Sequence, residues 1–404
     1  MARRLVATLV AAALASVAPS TQSRFDYTQW RGEDRSGAAS AFVALKTWPE
    51  RLLRKWTVNV GEGYATPLLA GSTLYTFVRD GGQEVLIALD PRTGRQRWRS
   101  GYDAPYTASK PAAAHGAWPK ATPLIMGGSV FTVGISGIVS AFNGRNGRLL
   151  WQTDAPGESP FYGAAASPAG HAGLVLAHPG NYGPLTAFDA STGAVRWTSE
   201  GRGFYGSPVI AELAGVRQAV TMLLDSVVGV SLDTGETLWK FPCDAGGGAV
   251  TPLFHEGLVI VAGLQIGLVA VRPARHDGRW TTEKVWDTND VNAYVSTPVV
   301  SGGKVFGLSH RNSGQFYALD ARTGTLLWSG PPRSATNSAV VAAGPWMVLL
   351  NDDGEMLVLD PRASRFDPVR RYTVADGATW AQPLISGNRV FVKDALSLSL
   401  WEIP

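Results

Sequence analysis

From about residue 52 onwards the chain is a succession of short apolar runs, cut by glycine and proline into pieces too short for helices. In Leu74-Tyr75-Thr76-Phe77 and Arg95-Gln96-Arg97-Trp98 apolar and polar positions alternate, the period of a strand with one buried face. Turn signals separate these runs, so many short antiparallel strands are predicted.

The strands recur as a phrase, (Ala/Val)-(Leu/Phe)-Asp-x-x-Thr-Gly-x-x-x-Trp. It stands at Ala88-Leu89-Asp90 with Thr93-Gly94 and Trp98, at Ala187-Phe188-Asp189 with Thr192-Gly193 and Trp197, and at Ala318-Leu319-Asp320 with Thr323-Gly324 and Trp328. Looser copies end at Trp151 and Trp239, and a degraded one, Val358-Leu359-Asp360, ends near Tyr372. The ladder Trp56, Trp98, Trp151, Trp197, Trp239, Trp286, Trp328, Tyr372 has steps of 42 to 53 residues, the size of one four-stranded propeller blade. A second phrase, Ser/Thr-Pro followed by apolar residues, opens each unit at Thr66, Thr122, Ser167, Ser207, Thr251 and Thr297, with Ser338-Ala339 and Gln382-Pro383 as weaker copies. Eight starts predict eight blades.

The first unit divides into Leu68–Ala70, Leu74–Val78, Val85–Leu89 and Arg95–Arg99. Asp90 is placed to accept backbone N–H groups in the turn it opens, and Gly94 to take a positive φ. The last unit lacks an outer strand, whereas Leu52–Val58, before the first unit, resembles one. The expected fold is therefore all-β, an eight-bladed propeller of four-stranded antiparallel blades over residues 52–404. An N-terminal strand closes it and leaves no open edge between the termini. Residues 21–51 are expected to form an extension lying on the ring.

Composition adds a compartment. Met1-Ala2-Arg3-Arg4 and the small, apolar Leu5–Ala18 form a secretory signal over about residues 1–20, too short to span a bilayer. Export to a periplasmic or secreted location is expected. The single Cys243 excludes an intramolecular disulfide and provides no lipid anchor near the signal. A formal charge of +4 without a basic run gives no support for nucleic-acid binding. No later apolar stretch is long enough to cross a membrane, and a monomer is expected.

These residues resemble the pyrroloquinoline-quinone (PQQ) type propeller repeat, in which Ala-x-Asp-x-x-Thr-Gly-x-x-x-Trp is the tryptophan-docking motif. The opening Gln29-Trp30-Arg31-Gly32 with Asp34 and Gly37 resembles an exported bacterial subgroup. The resemblance implies two functional precedents. One is the BamB-like lipoprotein scaffold of outer-membrane protein assembly. The other is the quinoprotein dehydrogenases, which hold PQQ and calcium over the axis. The chain lacks the lipobox cysteine of the first and the vicinal cysteine pair of the second.

Candidate binding residues follow from strand polarity. The Asp-x-x-Thr-Gly turns occupy one face, and the variable loops before each Ser/Thr-Pro occupy the other. Two residues before the inner strands, Tyr64, Tyr205 and Trp380 are aromatic and Lys120 is basic, with Tyr162 and Tyr294 close by. An aromatic mouth with Lys120 at its rim suits a peptide, a saccharide ring or a planar cofactor; the plainer alternative is that the rings plug the axis. His115 and Trp118 lie in the longest inter-blade loop, and Asn181 and His310 in loops between second and third strands. Asp290, with Asp287 and Asn292, is a candidate cation ligand or base, whereas Asn351–Glu355 reads better as a hairpin turn than as a calcium loop. No metalloprotease, Cys-x-x-Cys or phosphate-loop pattern occurs. The chain is thus read as a non-catalytic scaffold for a protein, peptide or saccharide, with no cofactor expected. A PQQ-dependent dehydrogenase using PQQ and calcium is the alternative, and a BamB-like assembly scaffold a third.

Overall fold

The computed structural model describes residues 25–404 apart from 40, 109, 156, 245 and 247–249; the segment expected to be a secretory signal lies outside them. The strands form eight four-stranded antiparallel sheets, each meandering from an inner to an outer strand. Blade 1 comprises Leu68–Ala70, Thr73–Asp80, Gln83–Leu89 and Gln96–Asp103. Blade 8 takes three strands from the C-terminus, and Leu53–Asn59 pairs antiparallel with Ser397–Glu402 as its outer strand. The ring is closed by the strand expected to close it.

Each part of the repeat has a packing reason. Ala88 pairs with Trp98, Ala141 with Trp151, Ala187 with Trp197 and Ala318 with Trp328, with a bulge directly after each alanine. In blade 4 a glycine takes this place, and a Cβ on Gly229 would lie 2.1 Å from the Trp239 indole nitrogen. The small residue leaves room for the ring, and the ring reaches over the next blade. A Cβ on Gly193 would stand 2.6 Å from Trp151, and one on Gly94 would stand 2.9 Å from Trp56. Glycine is therefore needed there for contact as well as for its φ of 75° or 70°. The indole N–H of Trp151 donates to Ala190 O at 2.9 Å, and that of Trp197 to Leu232 O at 2.8 Å. Asp90 and Asp189 hold their turns by accepting two backbone N–H groups each.

Blade 5 has no such turn. Its third and outer strands, Gly267–His276 and Arg279–Thr288, extend into a long hairpin. Trp239, left without a glycine turn to sit on, donates to Gln218 Oε1 of its own blade at 2.5 Å.

The Ser/Thr-Pro phrase stitches the inner strands together. Proline has no N–H to give, and the hydroxyl before it accepts one from the preceding blade. Thr66 N–H donates to Thr122 Oγ1, Thr122 N–H to Ser167 Oγ and Ser167 N–H to Ser207 Oγ, each at 2.9 Å; Ser207 N–H donates to Thr251 Oγ1 at 3.0 Å.

The extension departs from expectation in part: Phe42, Leu45 and Trp48 lie on blades 7 and 8, whereas the segment before them enters the ring. Tyr27 exchanges backbone hydrogen bonds with Leu69, Thr28 O accepts from Ile125, and Ala38 bridges to Ala342. Arg31 and Arg35 are only 1% and 3% exposed. Arg31 donates to Thr297 O and Pro298 O, and Arg35 to Ser167 O, Pro168 O and Pro208 O. The residues leading into the inner strands carry carbonyls outside the strand ladders, and two guanidinium forks satisfy five of them. Burial pushes both groups down, to about 10 and about 9, so both remain charged at neutral pH.

Replacing Trp151 by alanine removes this docking contact and is expected to destabilise the protein by about 3 kcal/mol. Urea unfolding checks it, and an unchanged midpoint would refute the docking role.

His178 supplies a pH-dependent contribution. Its Nδ1 bonds Gly183 O at 2.9 Å and its Nε2 bonds Thr221 Oγ1 of blade 4 at 2.8 Å. Burial lowers its pKa to about 4, so the native ring is neutral. This depressed native pKa contributes stability above the unfolded value near 6.5, which is lost as pH falls towards 4. Unfolding at pH 7 and pH 4.5 should show wild type losing about 2–3 kcal/mol more than His178→Gln.

Candidate functional site

The loop-bearing face holds a cup over the axis, with a volume of about 210 Å³. Its wall brings together Tyr64, His115, Lys120, Tyr162, Tyr205, Tyr294 and Trp380 from the mouths of different blades. Trp30, carried in by the extension, also lines the cup, beside the hydroxyls of Thr66, Thr122, Ser167 and Ser207. Because Arg31 and Arg35 occupy the axis directly after Trp30, the cup is closed beneath.

The rings brace one another. Tyr64 packs against Trp380 with centroids 5.8 Å apart, and His115 meets Tyr162 edge-on at 4.9 Å and Trp380 at 6.1 Å. Tyr162 N–H donates to the Tyr205 hydroxyl at 3.1 Å, and that hydroxyl shares a 2.6 Å hydrogen bond with Tyr182. Burial, then the Tyr182 hydrogen bond, push the Tyr205 phenol up; burial, then the Tyr162 hydroxyl, do the same for Tyr294. These phenols are neutral donors and acceptors at any physiological pH.

Among the described residues Lys120 is the only charged side chain in the lining, and no carboxylate joins it. Its ammonium donates to Tyr162 O, a neutral acceptor, and burial lowers its pKa to about 8. Burial, then the Lys120 charge, push His115 down as well, which keeps the imidazole neutral at pH 7.

The remaining sequence candidates lie elsewhere. Trp118 stands behind the wall, edge-on to Tyr64 at 5.7 Å, with its buried indole N–H unpartnered. His310 is exposed behind Tyr294, whose ring it meets at 5.2 Å. Asn181 donates to Glu158 at 2.9 Å, outside the cup. Asp290 is exposed and away from the lining, Asp287 pairs with Lys284, and buried Asn292 anchors His310 N–H and Leu264 O. No group of three metal-ligating side chains occurs among the described residues. Asp352, in the Asn351–Glu355 turn, accepts the N–H groups of Thr336 and Asn337, a structural use of its carboxylate.

Sequence reasoning missed Trp30 as a lining residue, together with Asn337 and Gln382. It also missed the rim aromatics Phe161 and Phe204; Phe161 is 42% exposed, and Phe204 stacks on Tyr182, the neighbour of Asn181 in its loop, at 6.1 Å. The only signal for Trp30 was the Gln29–Gly37 signature, which carries no information about where the segment lies.

Known proteins share this architecture. A curated relative, outer membrane protein assembly factor BamB of Yersinia pestis, is 24% identical over 363 residues, spanning 84% of this chain and 85% of its own. The crystal structure of BamB from Moraxella catarrhalis superposes with a TM-score of 0.64 at 16% identity, over 87% of this chain and 98% of that one. The quinohemoprotein alcohol dehydrogenase of Comamonas testosteroni has a TM-score of 0.66 at 13% identity, over 95% and 81% respectively; at these identities both structures speak for the fold alone. Among the described residues no helix is long and apolar enough to cross a membrane. Residues 47–204 and 224–395 match the family described as outer membrane protein assembly factor BamB, and with eight PQQ-type blades now in place the chain belongs to that family of propellers.

Proposed function

We propose that this chain is an exported, non-catalytic scaffold that holds a segment of a partner protein in the aromatic cup of its loop-bearing face. The observation that carries this reading is the cup itself: aromatic rings from separate blades, closed beneath, with no carboxylate among the described lining residues. Large amphipathic rings on a rigid frame are the residues that dominate protein interfaces. Kinship with BamB, a factor named for outer membrane protein assembly, supports a protein partner over a saccharide and a periplasmic setting over the cytoplasm.

The dehydrogenase reading meets a donor set of the wrong kind. Calcium takes six to eight oxygen ligands, usually with carboxylates among them, and the cup lining supplies no carboxylate. Asp290, the base that reading would need, is exposed outside the cup. The residues present do not fit PQQ with calcium, and no redox step is derived through that pair.

Photo-crosslinking in the native envelope tests the scaffold reading. A crosslinker at Tyr294 should give a discrete protein adduct that is lost in the double variant Tyr205→Ala/Trp380→Ala. One at Arg92, on the opposite turn face, should give none. Adducts only at Arg92 would overturn the choice of face. Titration with PQQ and calcium should leave the melting temperature unchanged; a saturable rise, growing as RT ln(1 + [L]/Kd), would restore the dehydrogenase.

A further inference from the structure

Three features of the cup restrict what can occupy it. The first is size. A volume of about 210 Å³ lies below the roughly 300–1,000 Å³ of drug-sized pockets. It admits one large residue or one ring, not a folded domain or a long strand.

The second feature is closure. Trp30 lines the cup, and the two axial arginines behind it are hydrogen-bonded to carbonyls of residues leading into the inner strands of blades 3, 4 and 6. A polypeptide has no way through the ring. It enters by an end, or by the tip of a loop.

The third feature is charge. Lys120 faces a lining without a carboxylate, forms no ion pair among the described residues, and rests on a backbone carbonyl. The titratable groups around it are His115 from the preceding 3-10 turn and the phenols of Tyr64, Tyr162, Tyr205 and Tyr294, none of them a carboxylate. The acid acting on this wall, Glu62, is exposed and bears on Tyr64. An ammonium in that setting attracts an anion and repels an amine, so of the two ends of a chain it selects the carboxyl end.

We infer that the cup is a receptor for the free carboxyl terminus of a partner polypeptide whose last residue is aromatic. The terminal carboxylate pairs with Lys120, and the terminal ring packs edge-on or offset among Tyr64, Tyr162, Tyr294 and Trp380, the arrangements aromatic pairs favour. The inference rests on the scaffold reading above and gives it a chemical address. The rim aromatics Phe161, Tyr182 and Phe204, with Arg202 over the Tyr182 ring at 5.6 Å, then lie where the residues preceding that terminus emerge.

Protonation gives this pairing a pH signature. Lys120 loses its proton around pH 8 in the free protein, and a bound carboxylate holds the proton on and raises that value. Affinity is therefore flat below about pH 8 and falls about tenfold per pH unit above it, until the pKa of the complex is passed.

The test is calorimetric titration of the mature protein with the peptide Gly-Ser-Gly-Phe as free acid and as carboxy-terminal amide. The acid should bind at least tenfold more tightly than the amide. Lys120→Met should remove that difference, and Lys120→Arg should retain most of it; melting curves confirm that each variant is folded. Equal affinity for acid and amide would overturn carboxylate recognition, as would failure of both to bind at millimolar concentration. In either case crosslinking from Tyr294 still decides the scaffold reading independently. If 3-phenylpropanoate binds as tightly as the peptide acid, the site takes a free small acid and the chain-end assignment falls.

Discussion

The ring depends above all on one repeated contact: at five of its eight seams an indole lies over a glycine in the next blade. A single four-stranded blade cannot bury both of its faces, so its stability comes from its neighbours. The contact couples three residues at fixed offsets. A small residue pairs across from the tryptophan, a glycine with positive φ receives the ring, and an aspartate holds that glycine's turn. None of the three is effective alone, which is why the repeat survives as a phrase. Where blade 5 abandons the turn for a long hairpin, Trp239 finds Gln218 within its own sheet.

Ring closure creates a second problem at the centre. The residues leading into the inner strands carry backbone groups outside the strand ladders, and unpaired carbonyls there are costly. Hydroxyls of the Ser/Thr-Pro starts satisfy N–H groups from blade to blade, and the N-terminal extension satisfies carbonyls through Arg31 and Arg35. The same segment carries Trp30 to the cup. Closing the axis and shaping the site are thus one event, and an open ring of the same blades would present a channel instead of a receptor.

The chemistry of the cup follows from what it excludes. Burial pushes the phenols of Tyr64, Tyr205 and Tyr294 up, burial and a nearby charge push its imidazole down, and no acid among the described lining residues neutralises its single ammonium. Such a site has recognition capacity without a carboxylate. This supports the scaffold reading proposed above, while the same frame also superposes on an oxidoreductase. The candidate site is built by loops and one inserted segment, not by the blades.

The sequence by itself determined the number of blades, the strand order within each, the closing strand and the face that carries variable loops. Those features are local: a turn, a bulge or a docking ring is written within about a dozen residues and repeated, so repetition reveals it. It also marked Tyr64, Lys120, Tyr205 and Trp380 as equivalent positions, because equivalence is a matter of phase. What only the tertiary structure decided is where unrepeated residues lie. Trp30, Arg31 and Arg35 act more than a hundred residues from most of their partners, and no periodicity announces such a contact. Asp290, His310 and Asn181 stood at plausible phases, yet side-chain partners drew His310 and Asn181 away and left Asp290 in solvent. Phase places a residue at the mouth of the ring; only packing decides whether its side chain turns inward.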